Sequence, residues 1–349
     1  MDYKEKEGYQ LQKECFPIMD IIKFIFCFFI VGIHTELFAE NVEIHYWIEK
    51  SLFRLAVPYF VLCSGFLLAM KIDMRGGVYT CVKHFSHRLA RLLLVFEPIS
   101  IAFMSIIFLL EGRNIFYIVL RVVQSVIFYP YGALWYIQAM IIGIWLLYFV
   151  ILKKKRERLG FYLGIPLFLF ALICNSYYFL IENSALGEYV SLYLKIAMSA
   201  RNGIFYGFFV LWVGFFAYKL YKKKPIPDKV VTILFFVCYG LYLIELFVLK
   251  EKTLRDDGSI FIMSIPVTFC LLLLSVRRKK KSNKTVLLRN LSTGIYLIHR
   301  PILYILTIIQ MVAYIEISYS LRFIIVSGVA VFVCYYSYKK NYRIAQYLK

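Results

Sequence analysis

The sequence predicts an all-α polytopic membrane protein of about ten transmembrane helices with both termini in the cytoplasm. Three observations lead there. Of the 349 residues, 61% are apolar and 19% aromatic, more than soluble domains carry. The apolar residues gather into runs of about 20, the helical length that crosses a hydrocarbon core roughly 30 Å thick. The basic residues behind the formal net charge of +20 fall in short clusters between those runs, the pattern of cytoplasmic loops lying against anionic headgroups. The partner this implies is a lipid bilayer, with the chain multi-pass in the cell membrane, and no nucleic acid.

Runs long enough to span lie near residues 18–37, 52–70, 92–110, 133–152, 160–180, 203–220, 230–249, 259–276, 291–314 and 320–338. The first fifteen residues mix both charge signs, and the first run lacks a small-residue cleavage site, so it is expected to stay as helix 1 behind a cytoplasmic segment 1–15. The segment 114–130 is short, interrupted by Arg121 and Gln124 and closed by Pro130. If it spanned, the cluster Lys153 to Arg158 would face outward and every later loop would invert. As an outer interfacial or re-entrant piece, it leaves all five basic clusters (Lys71 to Arg91, Lys153 to Arg158, Lys219 to Lys229, Arg277 to Arg289, Lys339 to Arg343) inside. The acidic loop 39–50, the segment 181–202 and the turn Lys250 to Gly258 are then outside. With no repeat and no long linker, residues 1–349 read as one membrane domain. The eight cysteines are mostly single within apolar runs and read as small core residues.

Helix 1 carries ionisable groups where lipid wants none. Asp20, Lys23 and His34 share a face, with Lys23 and His34 separated by about 16 Å along the axis. Intramembrane ionisable residues mark a site by default. A histidine facing a protein interior suits general-base work on a hydroxyl, whereas the plain alternative is a histidine packed between helices. Glu36, two residues on, lies on another face, so a carboxylate orienting His34 is expected from another helix or the outer loop.

Helix 2 opens with Arg54, which can simply snorkel, and continues through Pro58 to Ser64-Gly65, where small residues serve close packing or line a cavity. Ahead of helix 3, Arg88 and Arg91 recur with His84 on one helical face. They suit a phosphate-rich ligand, since guanidinium forks bind phosphate oxygens, or ordinary anchoring. Trp135 and Tyr136 fit an aromatic belt or an acceptor platform, and Arg201 lies near the outer face. Ser292, Tyr296 and His299 recur one turn apart on helix 9. The five histidines are dispersed, so no metal is expected.

Taken in order along nearly the whole chain, these motifs resemble the acyltransferase-3 family of integral membrane acyltransferases. Asp20, Lys23 and His34 match the spacing of its helix 1 motif, with lysine where the family has arginine. Pro58 to Phe66, Arg88 to Arg91, Leu134 to Tyr136 and Ser292 to His299 match its later motifs. The resemblance implies transfer of an acyl group, usually acetyl from acetyl-CoA, to a hydroxyl of an outer-face acceptor such as a cell-envelope glycan. On that footing His34, Asp20 and Lys23 would be catalytic, with Arg88, Arg91, Lys23 and Ser64 holding the acyl-CoA. Glu36, Trp135, Tyr136, Arg201, Tyr296 and His299 would face the acceptor. Lysine at 23 offers a point charge without the bidentate fork.

The stretches His34 to Glu36, Arg54 to Phe60 and Arg201 to Gly207 also resemble the membrane domain of vancomycin-resistance serine racemases. This implies, as the alternative, a transporter-like module for a small polar solute such as serine, with a cytoplasmic domain following Lys349 in a longer parent protein.

Overall fold

The computed structural model describes residues 16–223, 226–252, 254–277 and 283–340. The expected N-terminal segment 1–15 and parts of the last three basic clusters lie outside the described residues. Among these residues the chain forms α-helices, short 3-10 and π turns, and no strand.

Each of the ten expected spans is occupied by a helix. They are α1 (Pro17–His34), α3 (Ala56–Arg75), α4 (Val78–Leu110), α6 (Trp135–Leu146, extended by a π turn to Leu152), α7 (Leu159–Ile173), α9 (Phe208–Lys223), α10 (Asp228–Leu249), α11 (Ser264–Ser275), α12 (Asn283–Ala313) and α13 (Tyr319–Lys339). Eight helical stretches are long and apolar enough to cross a membrane, while α7 and α11 are shorter apolar helices. The protein is an all-α, multi-pass membrane protein. Large apolar side chains such as Phe236, Phe247 and Phe332 lie exposed on its flanks, as a lipid-facing surface requires.

Three further helices fill segments that the sequence left as loops or as an interfacial piece. Helix α2 (Val42–Ser51) stands in the 39–50 loop, started by Asn41, whose side chain accepts from the Ile44 amide. The Tyr46 hydroxyl donates to the Leu246 carbonyl at 2.9 Å, and Lys250 pairs with Glu43 at 2.6 Å, which fastens α2 to the end of α10. Helix α5 (Ile115–Ile127), capped by Asn114, has 13 residues, roughly 20 Å and too short to cross alone. It doubles back beside α4, where Phe108 meets the rings of Tyr117 and Tyr131 and the Tyr131 amide donates to Glu97. Gln124 of α5 donates to the carbonyls of Lys195 and Ile196 in α8 (Ala185–Ala197).

The eighth span begins later than its apolar run. The amides of Ser259 and Ile260 are taken by the Asn175 side chain, and those of Ile262 and Met263 by the Glu245 carboxylate. Those four donors are therefore held by other parts of the bundle, and α11 starts only at Ser264.

The main core joins α3 to α9, with α6, α7 and α11 around them; α1, α12 and α13 share a smaller cluster built on Cys27, Val31, Ile295, Val326 and Ala330. Helix α3 runs unbroken past Ser64-Gly65. Gly65 is there for close approach, because a Cβ on it would overlap the Leu211 carbonyl of α9; a Cβ on Gly214 of α9 would likewise overlap the Leu62 carbonyl. None of the seven described cysteines is in a disulfide, and six of them are buried.

Candidate active site

Helices α1 and α12 bring two histidines together. His34 ends α1, and its ring lies 5.3 Å from that of His299 at an interplanar angle of 25°. His299 is fully buried, and its Nδ1 lies 3.2 Å from the Ile295 carbonyl. A carbonyl only accepts, so Nδ1 carries the proton and Nε2 keeps its lone pair. That Nε2 is buried without a hydrogen-bond partner.

A line of polar rings leads away from the pair through the bundle. Tyr296, one turn before His299, has its ring 6.0 Å from the histidine and donates its hydroxyl to the Ala133 carbonyl. Its ring also lies 5.7 Å from Tyr136 of α6. Ser64 of α3 sits beside the Tyr136 hydroxyl and donates its own to the Phe60 carbonyl at 2.9 Å. Arg88 is within electrostatic reach of Tyr136. The sequence motifs on α3, α4, α6 and α12 thus converge on one interior path.

At the far end of this path lies a cavity of about 470 Å³, lined by Lys71, Arg75, Gly76, Gly77, Thr80, Cys81, His84, Phe85 and Arg88. The turn that opens it needs glycine twice, since Gly76 and Gly77 both have φ of 66°. Phe53 packs against Gly32 near the His34 end of α3, and Arg75 closes the other end. Some twenty residues of helix separate them, roughly 30 Å, about the thickness of the hydrocarbon core. Arg91 is exposed and is not part of the cavity wall.

Asp20 and Lys23 lie along α1 towards the cavity. Asp20 is buried, 4.0 Å from the Arg289 guanidinium and within reach of Lys23, and its Oδ2 has no hydrogen-bond partner. Arg289 also acts electrostatically on Arg88, so it links the helix 1 stripe to the cavity.

The His34 end carries a second set of charges. Arg54 does not snorkel: its side chain is 9% exposed and pairs with Glu49 of α2 and, at 3.1 Å, with Asp257. Arg201 reaches the same Asp257 carboxylate at 3.2 Å and lies over the rings of Trp135 (5.0 Å) and Tyr129 (5.6 Å), themselves stacked. Lys50 donates to the carbonyls of Asp257 and Gly258. Asp257 adopts a left-handed backbone with φ of 60°, which aspartate tolerates.

The charged side chains within electrostatic reach of His34 are Arg300, Arg54 and Arg201. The expected orienting carboxylate is not found, for no carboxylate is hydrogen-bonded to His34 among the described residues. Glu49 and Asp257, the acids nearest in role, are held by Arg54, Lys50 and Arg201. Glu36 is exposed in the turn after α1, with φ of 56°, away from these contacts. Arg289, Arg300, Glu49 and Asp257 are not among the site residues expected from the sequence. Arg289 stands one turn before Ser292, and Arg300 directly follows His299, but nothing local marks either one.

Burial opposes ionisation of Asp257, yet Arg201, Arg54 and Lys50 outweigh it and hold the carboxyl down at about 2. A lowered folded value means that its contribution to stability is present above the unfolded value near 4. It is lost as pH falls towards 2. Thermal unfolding of the wild-type protein is expected to weaken across that window, and Asp257→Asn to start weaker and show less of the pH dependence. Parallel pH profiles for the two would refute the assignment.

The chain matches the acyltransferase domain family over residues 16–339. The chain belongs to that family. As an acyltransferase-domain protein it is also similar to an amino-acid racemase of Enterococcus faecalis, 25% identical over 281 residues that make up 78% of this chain and 37% of the relative. A second amino-acid racemase of that organism is 23% identical over 296 residues, 80% of this chain and 40% of the relative. A serine/alanine racemase of Enterococcus gallinarum is 25% identical over 274 residues, 74% and 37% respectively. The chain therefore spans about two fifths of the length of these relatives. No solved structure matches it.

Proposed function

We propose that this membrane acyltransferase-domain protein moves an acyl group, acetyl in the simplest case, from acyl-CoA on the cytoplasmic side to a hydroxyl of an acceptor on the outer side. The observation that carries this reading is the path from the basic cavity, through Arg88, Tyr136 and Tyr296, to the His34 and His299 rings. The positive-inside rule assigns the cavity end to the cytoplasm. Lys71, Arg75 and Arg88 offer the CoA phosphates their cations there, and the pantetheine arm runs up the bundle past Ser64 and Tyr136 with the thioester towards His34. Lys23, with Asp20 and Arg289, adds charge along the lower part of α1.

His34 takes the proton of the acceptor hydroxyl as its oxygen attacks the thioester carbonyl. The carbon–sulfur bond then breaks, the acyl ester forms, and the proton held on His34 is available to the departing thiolate. Trp135, Tyr129 and Arg201 form a wall on the acceptor side, suited to the face of a sugar or another polar ring.

Calorimetric titration of the purified chain with acetyl-CoA tests the donor end. Binding is expected in the wild type and at least tenfold weakening in Arg88→Gln, because a charge-assisted hydrogen bond to phosphate is worth about 1.5–3 kcal/mol. Arg91→Gln, outside the cavity wall, is expected to bind nearly as the wild type does. Absence of binding in the wild type would remove the acyl-CoA reading.

The racemase names of the relatives favour a second reading, in which the same path conducts a small amino acid such as serine and the chain is the membrane part of a larger enzyme. Serine uptake into proteoliposomes, together with no acetyl-CoA binding, would select it.

A further inference from the structure

At the His34 end, four cationic side chains, Lys50, Arg54, Arg201 and Arg300, stand with two carboxylates, Glu49 and Asp257. The acids are already committed. Glu49 is held by Arg54 and Lys50, with His45 on its other oxygen at 3.1 Å, and Asp257 is shared by Arg54 and Arg201.

Arg300 is outside this arrangement. Its Nε and Nη2 reach the Tyr304 hydroxyl at 3.3 and 3.1 Å, and its guanidinium lies 4.7 Å from the centre of the same ring. No carboxylate pairs with it among the described residues. Its position is fixed rather than loose. Gly132, in a left-handed turn with φ of 61°, passes so close that a Cβ would overlap the Arg300 guanidinium. The same guanidinium acts on both His34 and His299.

A half-buried guanidinium, held by a ring and a glycine turn beside two histidines and lacking a carboxylate, is completed by an anion from outside the chain. We infer that the acceptor carries an anionic oxygen group, a carboxylate or a phosphate, which Arg300 binds while the acceptor hydroxyl faces His34. This rests on the acyltransferase reading for the role of the hydroxyl, but anion binding itself does not depend on it. Five N–H donors on the fork, two of them directed at Tyr304, leave enough for a bidentate contact. Neutral acceptors then lack the main contact that positions the hydroxyl.

The test uses the full chain in nanodiscs with saturating CoA, so that the basic cavity at the opposite end is occupied. Glycerate, glycerol 3-phosphate and glycerol are titrated as probes that share hydroxyls and differ in charge. At least one of the two anions is expected to bind ten times or more tightly than glycerol, and the tighter of the two identifies the group as carboxylate or phosphate. The preference is expected to vanish in Arg300→Gln, persist in weakened form in Arg300→Lys and remain unchanged in Arg91→Gln, which lies outside the cavity wall. Equal affinity for all three probes in the wild type overturns the inference. So does an unaltered preference in Arg300→Gln.

Acetyl transfer from acetyl-CoA to the same probes is measured separately. Transfer to none of them, with the anion preference intact, counts against the acyltransferase reading and leaves the anion site standing. A fall in turnover in Arg300→Gln that is equal for every acceptor, with no change in affinity, would make Arg300 a stabiliser of the tetrahedral oxyanion and overturn the acceptor assignment.

Discussion

Replacing His34 with alanine is expected to lower acyl transfer at least a hundredfold while leaving the fold intact. A positioned general base contributes about 10² to 10⁴ in rate, which sets the size of the loss. The second half of the expectation comes from the place of His34 at the end of α1, where its ring is only half-buried and makes no hydrogen bond among the described residues. Its removal opens little core and strands no buried partner other than the His299 ring stacked on it. Transfer measured from radiolabelled acetyl-CoA, beside thermal unfolding of the same preparation, separates the two effects. Wild-type turnover in the variant would sink the base assignment, and a large loss of stability would give His34 a structural role instead. His299→Ala is the useful companion, for it removes a fully buried ring and should cost both activity and stability.

The largest effect on folding is expected at Gly65. Alanine there would drive a methyl group into the Leu211 carbonyl of α9, and the opposed Gly214 leaves no slack, because it approaches the Leu62 carbonyl of α3 in the same way. Backbone cannot yield as the tip of a side chain can, so the two helices must separate along the principal seam of the bundle. Overpacking of this kind costs about 3 kcal/mol, enough to depress both the yield of folded protein and its unfolding temperature. Gly240→Ala in α10 is the control. A Cβ there meets nothing within 4 Å, and alanine's better helix propensity makes the change neutral or stabilising by up to about 1 kcal/mol. Similar behaviour of the two variants in detergent would contradict the close-packed seam.

The glycine seam shows what kind of information the chain carries openly. Ser64-Gly65 inside an apolar helix reads as close approach or as a cavity lining, and the structure shows the close approach, with neither residue in the wall of the basic cavity. Gly65 meets α9, while Ser64 sits beside Tyr136. The ten helices were legible because a span needs about 20 apolar residues wherever it falls, a property of local composition. Helices α2, α5 and α8 were harder to read because they are short and amphipathic, and their starts depend on single capping side chains, Asn41, Asn114 and Ser184. The late start of α11 could not be seen at all, since Asn175 and Glu245, which hold its leading amides, come from other parts of the fold.

The candidate site divides in the same way. Asp20, Lys23 and His34 declared themselves because ionisable groups are costly in lipid, and Tyr296 and His299 because they recur at helical spacing on an apolar helix. The sequence by itself determined the class of protein, the membrane-spanning segments and the helices that carry the candidate site residues. Only the tertiary structure decided that His34 meets His299, that Arg54 is engaged by Glu49 and Asp257, and that Arg300 stands beside the histidine pair with no carboxylate paired to it among the described residues. The physical reason is range. Hydrophobic runs and helical faces are set within a few turns of chain, whereas charge pairing across a bundle joins residues some 200 positions apart, such as Arg54 and Asp257, and is fixed only when the helices pack.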